Sequence, residues 1–139
     1  MTHTVDYNNY VGIPWKCGHS ALDGSDCWGL VCMVYKDLFN LDLEHFEIQR
    51  IDDQNKTMVM IESVREESDW ESVDVPQEGD VVMMIGRVSL RPEHVGVYTN
   101  HGRVLHSLSR NPDTGQSEIH DMKLLRKIFK RLEFYRYVA

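Results

Sequence analysis

Apolar and polar positions follow a helical period early in this chain and strand-like runs later. Cys27, Leu30, Val31, Val34, Tyr35 and Leu38 fall on one stripe with a period near 3.6. Gly24, Ser25 and Asp26 before them are turn and N-cap types, and Asn40 after them is a stop signal. The pattern predicts a helix from Cys27 to about Phe39. A weaker amphipathic pattern predicts a second, mostly exposed helix over Thr57 to Glu67, and Glu66, Glu67, Asp69 and Glu71 read as a solvated acidic face. Val81 to Ile85 is continuously apolar and bounded by the turn Pro76 to Asp80, the mark of a buried strand. Two further strand-like runs, His94 to Tyr98 and Arg103 to Ser107, flank a hairpin signal at Thr99 to Gly102. Arg87 to Glu93, with Pro92, reads as a loop, and Asn111 to Gly115 as a turn. Asp121 is placed to cap a short helix through Ile128, and Glu133 to Val138 closes the chain as a strand.

The remaining segments are less regular. Residues 1–9 read as a polar arm, Tyr10 to Trp15 as an apolar lead-in broken by Gly12 and Pro14, and Lys16 to Asp26 as a loop. Leu41 to Asp53 has no clear period. Helices first and antiparallel strands afterwards give an α+β class.

Composition narrows the possibilities. With 139 residues, 42% hydrophobic and 27% charged, the chain suits one soluble domain over residues 1–139. A net charge of −7 argues against nucleic acid as a partner, since phosphates require a basic face. No apolar run approaches a membrane span, and the first residues lack the basic start and apolar core of a secretory signal, so the expected location when made is cytoplasmic. Cys17, Cys27 and Cys32 are an odd number of cysteines, which is no disulfide framework. The five-residue step from Cys27 to Cys32 is not a zinc spacing either. Cys32 reads as a small buried hydrophobe.

Cys27 is different, because it sits in the first turn of its helix. The field and free amides of a helix N-terminus favour thiolate over thiol, and the thiolate is the nucleophile. A base is then needed. Of seven histidines, His94 and His106 stand on the two runs that flank the hairpin. If opposed residue numbers sum to 200, these two face each other directly across a loop centred on Asn100. An even sum keeps both rings on one face of the sheet. One imidazole could then take the thiol proton while the other fixes its tautomer, which is the equipment for acyl transfer through a thioester.

Three ordered blocks complete this reading. They are Tyr10-Val11-Gly12-Ile13-Pro14-Trp15 followed by Gly18 and Asp26-Cys27-Trp28-Gly29-Leu30, then Glu78-Gly79-Asp80-Val81-Val82, then His94-Val95-Gly96-Val97-Tyr98 with Leu105-His106-Ser107. Together they resemble the NlpC family of papain-like cysteine peptidases, which cut cell-wall peptides. The resemblance implies a helix carrying the nucleophile, packed on an antiparallel sheet. It implies Cys27 as nucleophile, His94 as base and His106 as the orienting residue, without metal or organic cofactor. Trp15, Asp26 and Trp28, which neighbour the cysteine in the first block, are the candidate substrate-binding residues. The implied substrates are peptidoglycan stem peptides. The Cys-Trp-Gly-Leu-Val wording is most similar to members found among phage tail proteins, so other tail proteins are expected partners. The alternative is a tail structural or assembly protein that keeps the fold with little activity. The sequence departs from the family pattern at Trp15, where a tyrosine is usual, and at Cys17 and His19, which replace a tryptophan and a glycine.

Overall fold

The computed structural model describes residues 6–16, 19–43, 64, 69–111 and 114–138. A 3-10 turn, Tyr7–Tyr10, leads into a small hairpin of β1 (Ser20–Ala21) and β2 (Gly24–Ser25), and then into α1 (Cys27–Phe39). The later half contributes β3 (Trp70–Val73), β4 (Val81–Ile85), β5 (Pro92–Tyr98), β6 (Arg103–Asn111), β7 (Thr114–Asp121), α2 (Met122–Ile128) and β8 (Arg131–Tyr137). Six of these strands form one sheet in the order β3-β8-β4-β5-β6-β7, with every neighbouring pair antiparallel. The expected α+β class and the helix-on-sheet arrangement are what the chain adopts.

Strand parity separates two cores. Val81, Met83, Val95, Val97, Leu105 and Tyr135 point to the face covered by α1 and join Leu30, Val31, Val34 and Tyr35 there. Val82, Met84, Val104 and Phe134 point the other way, to Leu125 of α2 and to Phe129. Strand β4 is buried on both faces, which is why its sequence is uniformly apolar rather than alternating.

Helix α1 begins and ends where the sequence signals put it. The Asp26 carboxylate accepts from the Gly29 amide at 2.6 Å, and Asn40 stops the helix in the left-handed conformation at φ 53°. Near its middle, the Tyr35 hydroxyl donates to the carbonyl of Gly79, in the turn that opens β4. Gly79 itself needs φ 92°, and the next residue, Asp80, receives two hydrogen bonds from the Arg136 guanidinium at 3.0 and 2.8 Å. The Glu78-Gly79-Asp80 block is thus a clamp joining α1, β4 and β8.

Several expectations are corrected. Tyr7 of the supposed polar arm is buried against α1's core beside Tyr10 of the apolar lead-in, because its ring outweighs the polar residues around it. The segment from Lys16 to Asp26 holds the β1–β2 hairpin rather than only loop. Pro92 and Glu93 belong to β5. Proline is tolerated there because it is the first strand residue, beside a register shift between Met84 and Ile85. Strands β3 and β7 were not foreseen, since both are polar edge strands. The helix expected over Thr57 to Glu67, apart from Val64, and most of Leu41 to Asp53 lie outside the described residues, as does Cys17. No helix among the described residues is long and apolar enough to cross a membrane.

Candidate active site

The expected β5–β6 register is right in face and wrong by two residues. Gly96 pairs with His106, Val97 with Leu105 and Tyr98 with Val104, so paired numbers sum to 202. The loop is centred on His101, which adopts φ 52° beside Gly102 at φ 75°, and Thr99 closes it by donating its amide to the Arg103 carbonyl. His101 and Gly102 supply the left-handed backbone of the turn. His94 and His106 are consequently diagonal neighbours. Their rings still meet, with His94 Nε2 2.9 Å from His106 Nδ1 and ring centroids 5.1 Å apart. Gly96 makes this possible. It lies opposite His106, and a Cβ there would stand 2.6 Å from the Leu105 carbonyl and 3.0 Å from the Cβ of His106.

Both rings project from the sheet face opposite to α1, and His94 stacks on Phe129 at 6.1 Å with the planes 9° apart. Cys27 nevertheless reaches β5 at the residue next to His94, because β5 and β6 pair only from Gly96 to Tyr98. Amides of odd-numbered β5 residues point toward β6, as Thr99 shows, and the Val95 amide finds the Cys27 sulfur as its acceptor. The thiol therefore sits where the two strands part, one residue along the backbone from His94. Cys27 is half-buried.

The helix start is held tightly. Gly29 leaves no room for a side chain, because the His19 carbonyl packs directly on it, and Ser20 Oγ donates to the Gly29 carbonyl at 2.6 Å. Trp15 is half-buried, and its neighbour Lys16 donates to the Ser25 carbonyl, so the first block lies alongside the approach to Cys27. Asp26 and Trp28 are both buried, the first capping α1 and the second in the core. Of the three candidate substrate contacts, only Trp15 stays reachable.

The electrostatics correct the expected thiolate. Burial pushes the Cys27 thiol up to about 12, and the Asp26 carboxylate adds to the rise. The amides of Val95, Trp28 and Cys27 pull the other way, as a helix N-terminus should, but desolvation is the larger effect. Burial also lowers His94 to about 4, and it lowers His106 to about 2 with help from the neighbouring imidazoles of His94 and His120. The resting site is a neutral thiol beside neutral imidazoles.

Sequence reasoning missed two members of the row. His106 Nε2 lies 2.8 Å from His120 Nδ1, and His120 Nε2 lies 3.2 Å from Glu118 Oε2. Both residues are on β7, where Val104 pairs with His120 and His106 with Glu118. Three imidazoles thus cross three adjacent strands on a diagonal. The sequence signal was faint, because Ile119 is the only large apolar residue of β7.

A model of the NlpC/P60 family matches residues 12–130. The chain belongs to the NlpC/P60 family. Among solved structures, it is similar to the NlpC/p60 domain of the peptidoglycan hydrolase SagA, with a TM-score of 0.59 and 20% identity over 95% of this chain and 91% of that one. It is also similar to an NLP/P60-family protein described as similar to lipoprotein, from Staphylococcus aureus subsp. aureus Mu50. There the TM-score is 0.52 and identity is 18% over 94% of this chain and 38% of that one. No curated protein matches the chain. The NlpC/P60 fold explains why the motif-bearing blocks converge: the first brings Cys27 to α1, the second anchors β4, and the third supplies the paired strands that carry His94 and His106.

Proposed function

We propose that this NlpC/P60 chain is a cysteine endopeptidase that hydrolyses amide bonds of peptidoglycan stem peptides. The observation that carries this reading is the Cys27 sulfur at the Val95 amide, one residue along the chain from His94, whose ring is hydrogen-bonded to His106. His94 Nδ1, the nitrogen that His106 does not use, takes the thiol proton as sulfur attacks the scissile carbonyl carbon. The first-turn amides of α1 are the donors available to the resulting oxyanion. The tetrahedral intermediate collapses, the C–N bond breaks, and the leaving amine takes the proton from His94. Water then attacks the thioester with His94 again as base, and the acid product and free thiol are released. Because the thiol and imidazole rest neutral, proton transfer accompanies attack instead of preceding it.

Membership of the family and the peptidoglycan hydrolase SagA among its structural relatives support the substrate class. The phage-tail setting rests on the Cys-Trp-Gly-Leu-Val resemblance alone. Immunoblotting of purified virions, in which the chain should sediment with tails, tests it. The enzymatic reading is tested by incubating the protein with synthetic stem peptides and measuring release of free amine. Turnover should be present, and absent in Cys27→Ala. No release by the wild-type chain would leave a structural role as the better reading.

A further inference from the structure

The row of imidazoles ends on a carboxylate, and that end gives it a direction. An ionised carboxylate accepts hydrogen bonds and donates none. For His120 Nε2 to bond Glu118 Oε2, it must carry the proton, which in the neutral imidazole leaves His120 Nδ1 as an acceptor. His106 Nε2 must then donate to His120 Nδ1, which leaves His106 Nδ1 to accept from His94 Nε2. Each contact fixes the next, and the last free lone pair falls on His94 Nδ1. Run in reverse, the same three rings would put a proton on His94 Nδ1, and that nitrogen could not act as a base.

We infer that Glu118 and His120 are positioning residues that set the tautomers of His106 and His94, so that the nitrogen left basic is the one offered to Cys27. The inference rests on the proposed role of His94 as base. The two residues touch neither substrate nor sulfur and act through the hydrogen-bonded row. Glu118 also places a negative charge at the row's outer end. That charge opposes the penalty of forming an imidazolium at buried His94, because polarised hydrogen bonds transmit part of the stabilisation. The surroundings suit this role. His94 lies on the uncharged ring of Phe129. His120 faces His106 from β6 and Glu118 from its own strand. Another charged pair on the same strands, Arg103 with Asp121 at 3.5 Å, occupies positions of opposite parity. Side chains of His120 and Glu118 are 26% and 29% exposed, so the row reaches water at its far end from the thiol.

Two-bond nitrogen–proton correlation spectra of the full chain at pH 8 read the tautomer of each ring directly. All three histidines should carry the proton on Nε2. A proton on Nδ1 of His94 in the wild type would overturn the inference. In Glu118→Gln the side-chain amide can donate as well as accept, so Nδ1–H forms should appear along the row. Against stem peptides, kcat should fall at least about 10-fold with KM unchanged, as when a base is left in the wrong tautomer. Wild-type tautomers together with wild-type kcat in Glu118→Gln would also overturn it. The spectra keep the two readings separable. An Nε2–H row in a protein that cleaves no stem peptide would refute the peptidase and uphold the row's direction. Should Glu118→Gln fail to fold, the wild-type spectrum alone decides.

Discussion

The two faces of the sheet bury their side chains by different means. On the α1 face, thirteen residues of helix cover Val81, Met83, Val95, Val97 and Leu105 with an apolar stripe. On the other face, α2 is only seven residues long, and its apolar cluster around Leu125 and Phe129 gives way to His94 and His106. Polar groups there are kept inside only by bonding to one another. The first face is built for stability and the second carries reactivity, and Cys27 belongs to both because it enters where β5 and β6 part.

That division can be attacked directly. The largest effect should come from His94→Ala, which removes the base and lowers kcat per folded molecule about 10²- to 10⁴-fold. Activity at wild-type level would end the assignment. Leu30→Ala, on the apolar face, should do the reverse. A fully buried leucine truncated to alanine costs about 2–5 kcal/mol, read by urea unfolding, with kcat per folded molecule unchanged.

Acid should single out the histidine face. The folded pKa values of His94 and His106 lie below the free value of 6.5, so the unfolded chain binds protons first and stability falls as pH drops. The fall begins near pH 6.5, and the His94 contribution is complete near pH 4, where it reaches about 3 kcal/mol. Urea midpoints between pH 5 and 6.5, above the carboxylate range, should decline with uptake of up to about two protons on unfolding. A flat profile there would contradict the buried neutral rings. Gly96→Ala should cost about 1–3 kcal/mol and lower kcat as well, because the added methyl pushes on Leu105 and His106 together. The smallest signal is chemical labelling. Iodoacetamide should modify Cys27 slowly at neutral pH, faster above pH 9, and always ahead of buried Cys32, since burial keeps both thiols protonated.

Much of this was legible in the sequence because local signals and tertiary packing agree. Asp26 caps, Asn40 stops, and the stripe between them faces a sheet, so α1 could be read to the residue. The His94–His106 partnership was legible through the twelve-residue spacing and the hairpin, although the diagonal offset was not. The offset depends on where the turn places its left-handed residues, and His101 is an unusual choice for one. Strand β7 could not be read, since an edge strand exposes one side and needs little apolar patterning. With it went His120 and Glu118. The raised thiol pKa was missed for another reason. The helix N-terminus is a local property visible in sequence, whereas desolvation depends on β5, β6 and the first block closing around the sulfur.

The bond from Tyr35 to Gly79 has a mechanical consequence. Tyr35 stands eight residues beyond Cys27, about 12 Å along the helix axis. A helix fastened there and at its amino end works as a strut, and a shift of the β4 turn would be delivered to the sulfur as a change of aim. Precision at the nucleophile is therefore leased in part from a tyrosine hydroxyl two helical turns away.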